Sequence, residues 1–325
     1  MKFATAPVNW NSGDAPDKSI AGPTGELAYQ QTRMSTETDY EELEELARRA
    51  RWLVLSTVAK SGAGHVGGPM SATELLISLY FRVMALRPEE PHWPGRDRFI
   101  LSKGHSAIGQ YTVMALRGYF PVEELQTFDK GHSRLQGHPD VTKLSGLETS
   151  TGSLGQGLSV GLGFALGARL SGQKYHTYVL LGDGELQEGM VWEALHIAPR
   201  YNLGNLTAIV DWNGLQQFGW PVAPGDEHSG DRRDPWAGVN LAMANGALGW
   251  RILEVNGNDF SQVIPALEEC KRWSQTRQPT MVLAHTTKGK GLSFTAGKYE
   301  WHSKVATAQE LDQAKHELGI AEVSA

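Results

Sequence analysis

The first chemical signal in this chain comes from two residues at the ends of neighbouring apolar runs. A β-like run over 177–181 ends in Gly182-Asp183-Gly184. A helical stretch over 189–201 then leads to a second run, 206–211, and to Asn213. A strand–helix–strand unit with parallel strands brings both strand ends to one edge, so Asp183 and Asn213 are expected side by side. The two glycines allow a sharp turn from which Asp183 projects. A carboxylate, an amide oxygen and a nearby backbone carbonyl are hard oxygen ligands suited to Mg²⁺ or Ca²⁺. Such a cation can clamp a diphosphate, whose charge also asks for backbone N–H groups. A Gly-Asp-Gly tripeptide alone is usually a plain turn. The asparagine at this spacing is what turns it into a site.

Three of the eleven histidines share a context. His65, His105 and His138 each sit in a glycine-rich loop at an expected strand or helix edge. Imidazole is the side chain best suited to moving protons near neutral pH. One loop histidine is more often structural than catalytic, but three in matching surroundings point to a shared task. His302 follows later, in the segment Glu300-Trp301-His302-Ser303. His132 has no assignable role and reads as surface.

These residues need elements to hold them. A helix is expected over 39–60, with Asp39 as cap, Glu42 at the reciprocal position, and Leu43, Leu46, Ala47, Ala50, Val54 and Val58 on its apolar face. A glycine-rich break over 61–69 leads to a second helix, where Ser71 and Glu74 are expected to form a capping box. Short β-like runs follow at 98–101, 177–181, 206–211, 251–255 and 280–285, each leading into a loop and a helical pattern. This alternation predicts an α/β fold, a mostly parallel sheet with helices on both faces, whose ligands lie beyond the carboxyl ends of the strands. No internal repeat or long linker divides the chain. The expected organisation is a polar extension over 1–36 and one domain over 37–325.

Composition excludes several classes. Net charge is −6, so there is no basic footprint for nucleic acid. No stretch approaches the roughly 18 uninterrupted apolar residues of a membrane span. The N-terminal segment lacks the pattern of a secretory signal, which predicts a cytoplasmic protein. The single cysteine, Cys270, sits in a helical pattern with Leu267 and Trp273 and reads as buried and inert.

The stretch LLGDGELQEGMVWEALHIAPRYNLGNLTAIVDWNGLQ resembles the thiamine diphosphate enzymes in their transketolase version. The three histidine loops and the segment Thr151–Gly157 resemble transketolase active-site loops. The resemblance implies a thiamine-diphosphate-binding fold with Asp183, Asn213 and the Leu215 carbonyl as metal ligands. It implies that Gly184 contacts the diphosphate through its N–H, that Glu188 belongs to the cofactor network, and that Gly152, Ser153 and Leu154 contact the cofactor. His65, His105, His138 and His302 would line the channel above the thiazolium ring, with His105 also beside the cofactor. Trp212, where the family commonly has Asn or Asp, is expected to pack rather than ligate. Val66 replaces a frequent proline. The segment Lys288–Gly291 fits either the site mouth or a basic surface loop.

The resemblance covers about 42–309 and matches only the first, diphosphate-binding domain of a transketolase. The family's pyrimidine-binding domain supplies the glutamate that activates the aminopyrimidine, and it has no counterpart here. The implied protein is the N-terminal subunit of a two-component transketolase using thiamine diphosphate and Mg²⁺ (or Ca²⁺). Its partner would be a C-terminal subunit carrying the pyrimidine-binding domain, in an α2β2 assembly. Its substrates would be sugar phosphates, with neither nucleic acid nor membrane involved. A thiamine-dependent synthase, a 2-oxo acid dehydrogenase α chain and a non-catalytic cofactor-binding module are the alternatives. The triple-histidine loops speak against the dehydrogenase.

Overall fold

The computed structural model describes residues 36–217 and 241–320. Trp220, Pro221 and most of the expected N-terminal extension lie outside them. Among the described residues, five strands form one sheet: β1 (Arg98–Leu101), β2 (Thr177–Gly182), β3 (Leu206–Trp212), β4 (Arg251–Asn256) and β5 (Thr280–His285). Their order is β1-β2-β3-β5-β4, and every pairing is parallel.

Alternate strand residues feed two separate cores, as a sheet covered on both faces requires. Phe99, Leu101, Tyr178, Leu180, Ile209 and Val282 point to one side. Ile100, Val179, Leu181, Ala208, Val210 and Leu283 point to the other. The first face is covered by α1 (Thr36–Ser61), α3 (Thr73–Ser78), α4 (Ala107–Arg117) and α8 (Phe260–Arg272). The second is covered by α5 (Gly157–Leu170), α6 (Gly189–Arg200) and α7 (Leu241–Ala247). A right-handed crossover fixes this division. The helices that lead directly into β2 and β3, α5 and α6, lie on the second face, while α4, also between β1 and β2, packs on the first. The step from β4 back to the inner β5 reverses direction, so α8 must cross the first face.

The contact between α5 and the sheet depends on one missing side chain. A Cβ on Gly161 would lie 2.3 Å from Cγ2 of Val179 on β2. Gly161→Ala is therefore expected to destabilise the fold by about 1–3 kcal/mol through overpacking. Urea unfolding checks this. A change below about 0.5 kcal/mol would mean that α5 can lift without loss.

Two local expectations fail. The first helix begins at Thr36, so Asp39 lies inside it rather than at its cap. The second begins at Gly67 as α2 (Gly67–Ser71), breaks at Ala72 and resumes as α3 without a capping box. Ser71 Oγ instead donates to Asp211 Oδ2 at 2.6 Å, and Glu74 is fully buried against Arg51. Long-range charge pairing overrides the short-range capping pattern there. Cys270 is buried on α8, and burial pushes its thiol up to about 12, which keeps it inert. His132 is exposed. Among the described residues no helix is long and apolar enough to cross a membrane.

Candidate active site

The carboxyl ends of β2 and β3 meet as the strand–helix–strand spacing predicts, because Gly182 on β2 is in register with Asp211 on β3. Asp183 caps a single 3₁₀ turn, Gly184–Gln187. Its Oδ1 accepts from Gly184 N at 2.8 Å, and its Oδ2 accepts from Gly214 N at 2.6 Å. The carboxylate thus bridges the two strand ends directly. Burial raises its pKa to about 7, assisted by the neighbouring Asp211 carboxylate.

Asp211 lies beneath the pair, fully buried. Its Oδ2 pairs with the Lys103 ammonium, and its Oδ1 accepts from Thr286 Oγ1. The Asn213 amide nitrogen donates to Asp211 Oδ2 at 3.3 Å and to its carbonyl at 3.4 Å. Asn213 Oδ1 accepts from Leu215 N at 3.2 Å. Lys288 enters from the loop after β5 and is only 3% exposed. Its Nζ donates to the carbonyls of Leu215 at 3.2 Å and Gln216 at 3.1 Å, and lies 3.1 Å from His302 Nδ1. Burial, with Lys103 nearby, lowers the Lys288 ammonium to about 8.

A cavity of about 470 Å³ opens above this floor. His65, His105 and His302 stand on its wall, with ring centroids 5.0 to 5.2 Å apart in each pair. They come from three distant places: before α2, after β1, and a 3₁₀ turn far beyond β5. Burial, with lysines and imidazoles around them, holds all three neutral. His65 falls to about 4, His302 to about 3, and His105 far below the ordinary imidazole range. A neutral imidazole both donates and accepts, so this wall can read hydroxyl groups and pass protons.

Most of the expected site residues converge. Gly152, Leu154, Asp183, Gly184, Glu188, Asn213 and Leu215 line the same cavity as the three histidines. Ser153 is exposed beside them. His138 lines an adjoining concavity of about 790 Å³, shared with His65, and their ring centroids lie 6.0 Å apart. Trp212 packs its ring 5.2 Å from His285. Sequence reasoning did not single out Lys103, Glu185 or Asp211, and left Lys288 undecided. The available signals were the adjacency of Lys103 to His105 and the position of Asp211 just before Trp212 and Asn213.

The donor set fits a divalent cation and a diphosphate. A carboxylate, an amide oxygen and a carbonyl gather at one edge, with the buried ammonium groups of Lys103 and Lys288 close by. The Leu215 carbonyl has two lone pairs, so its hydrogen bond from Lys288 leaves one for a metal. Fold and floor together define an α/β domain whose ligand site lies beyond the carboxyl ends of a parallel sheet. The family model for the transketolase thiamine diphosphate binding domain matches residues 43–324.

One of the subunits of the apulose-4-phosphate transketolase of Actinobacillus succinogenes is 41% identical over 280 residues, covering 86% of this chain and 96% of that protein. A 6-deoxy-6-sulfo-D-fructose transketolase subunit from a Clostridium species is 37% identical over 282 residues, covering 85% and 96%. The solved transketolase of Campylobacter jejuni superposes with a TM-score of 0.75 at 30% identity, covering 86% of this chain but 43% of that one. The chain belongs to the transketolase family, as a transketolase-type transferase subunit corresponding to the N-terminal part of a split enzyme.

Proposed function

We propose that this subunit transfers a two-carbon ketol group from a ketose phosphate to an aldose phosphate, using thiamine diphosphate held through Mg²⁺ or Ca²⁺. The observation that carries the proposal is the triangle of imidazoles, His65, His105 and His302, on the wall of the cavity that Asp183 and Asn213 also line. Asp183, Asn213 Oδ1 and the Leu215 carbonyl would hold the metal. Gly184, Glu188 and the segment Gly152, Ser153 and Leu154 would border the cofactor, with His105 beside it.

Thiamine diphosphate, when bound, supplies the carbon nucleophile and electron sink for breaking a carbon–carbon bond. The chain's own residues then manage the sugar. His65, His105 and His302 accept hydrogen bonds from hydroxyl groups and can take or return a proton at a sugar oxygen. His138 meets the sugar from the adjoining concavity. Lys103 and Lys288 offset anionic charge at the floor.

The relatives named as subunits support a partner chain, here proposed to be a C-terminal subunit with the pyrimidine-binding domain in an α2β2 assembly. The test is ketol transfer from xylulose 5-phosphate to ribose 5-phosphate with thiamine diphosphate and Mg²⁺, by this chain alone and mixed with the product of a neighbouring gene. Transfer is expected only in the mixture. Full-rate transfer by the lone chain would remove the partner from the reading, and inactivity of both with bound cofactor would remove these sugars.

A further inference from the structure

The residue following the Gly-Asp-Gly turn is a carboxylate with no evident business beside an anion. Glu185 borders the cavity meant for a diphosphate, yet it is only 2% exposed. Its side chain folds back under the turn, and three donors from three separate segments converge on it. Oε1 accepts from Ser102 Oγ, just after β1, and from Gly155 N at 2.9 Å, in the loop before α5. Oε2 accepts from Gly182 N at 3.1 Å, at the end of β2.

These segments are the ones whose relative placement shapes the cavity. The residues after Ser102 lead to His105, those before Gly155 are Gly152 to Leu154, and Gly182 leads to Asp183 and Gly184. Two of the segments are already packed backbone to side chain, since a Cβ on Gly157 would lie 2.3 Å from Ser102 Oγ. Other bonds tie the segments in pairs, Thr151 Oγ1 to the Leu101 carbonyl at 2.7 Å and the amides of Ser102 and Lys103 to the Leu180 carbonyl, but Glu185 is bonded to all three at once, and each of its partners donates. A carboxylate suits such a place because both its oxygens accept and neither donates.

We infer that Glu185 is a positioning residue, which fixes the three diphosphate-facing loops in register through its hydrogen bonds to Ser102, Gly155 and Gly182. The inference rests on the cofactor reading above. It has a consequence opposite to simple electrostatics. Neutralising a buried anion near a diphosphate should tighten binding if charge dominates. If Glu185 acts by placing the loops, neutralisation loosens binding. In Glu185→Gln the oxygen can stay at the doubly bonded position, while the amide N–H₂ confronts the N–H of Gly182. In Glu185→Ala all three donors lose their acceptor.

The test is calorimetric titration of the full chain, in the assembly in which it purifies, with thiamine diphosphate and Mg²⁺. Positioning groups behind a ligand shell typically affect affinity about 10–100-fold. Glu185→Gln is expected to raise Kd within that range and Glu185→Ala to raise it further. With cofactor saturating, kcat of the assembled enzyme should fall by a smaller factor than Kd rises, because His105 rides on only one of the three loops. Thermal unfolding accompanies each titration, and Ser102→Ala, which removes one donor, serves if the alanine variant does not fold. It should weaken binding less than Glu185→Gln. Binding by Glu185→Gln equal to or tighter than wild type overturns the inference and leaves the cofactor reading standing. No binding by the wild type would overturn both.

Discussion

Asp183→Asn is expected to abolish metal-supported cofactor binding and to lower ketol transfer at least about a thousandfold, equivalent to roughly 4 kcal/mol. The substitution keeps size and shape but removes the charge that a hard cation requires. It also places an amide N–H₂ against the N–H of Gly184 or Gly214, since both carboxylate oxygens accept from backbone. Activity and calorimetric titration with Mg²⁺ and thiamine diphosphate check the result. Retention of more than about a tenth of wild-type transfer would show that the metal is held elsewhere.

The same residue predicts a pH dependence. Its pKa in the metal-free fold is about 7 against 3.8 for the free side chain, because burial and Asp211 disfavour the anion. Between those values the folded chain holds a proton that the unfolded chain has released. The stability from this group is therefore complete below about pH 4 and is lost as pH rises through 7. A bound cation favours the anion instead. Cation affinity should accordingly strengthen with pH, by up to about tenfold per unit, and level off above 7. Urea midpoints of the metal-free chain at a series of pH values test the first trend. Asp183→Asn should flatten it.

The second large effect is structural. Glu74→Ala is expected to destabilise the fold by about 3–5 kcal/mol. Arg51 Nη2 lies 2.7 Å from both Glu74 oxygens, Lys290 Nζ is 2.9 Å from Oε1, and Asn258 Nδ2 is 3.1 Å from Oε2. Glu74 is wholly buried and Arg51 nearly so. Removing the carboxylate would leave a guanidinium in the core with no counter-charge. Burial by itself would raise the Glu74 carboxyl, but Arg51 and Lys290 outweigh it and hold it below its ordinary value. Its stabilisation is thus present above about pH 4.5 and lost as pH falls through the folded value.

Lys290 belongs to the loop that delivers Lys288 to the cavity, so loosening should reach the active site as well. Urea unfolding measures the first effect and the cofactor Kd the second. A loss below about 1 kcal/mol would mean that Arg51 finds water.

The parts of this protein whose geometry is local are legible in its residue order. Strands β1, β2, β3 and β5 read as short apolar runs because a parallel sheet covered on both faces buries most of their residues, whereas the edge strand β4 is nowhere fully buried and carries Arg251 and Glu254. The Asp183–Asn213 juxtaposition followed from one strand–helix–strand unit, whose handedness and register leave the two strand ends little freedom. The histidine loops were legible by residue type and glycine content, since few other surroundings bring imidazoles and open backbone together.

The remainder depends on contacts between segments far apart along the chain. The meeting of His65, His105 and His302 joins segments that no local pattern links. Lys288, in a glycine-rich basic loop, has the composition of solvated surface. It is buried because the carbonyls of Leu215 and Gln216 await its ammonium. Ser71 and Glu74 have the spacing of a capping box, yet their partners, Asp211, Arg51 and Lys290, are remote in sequence. A cap contributes about 1 kcal/mol, whereas a buried charge left unpaired costs several. Where those demands compete, long-range pairing decides the conformation, and a linear pattern carries no record of the partner.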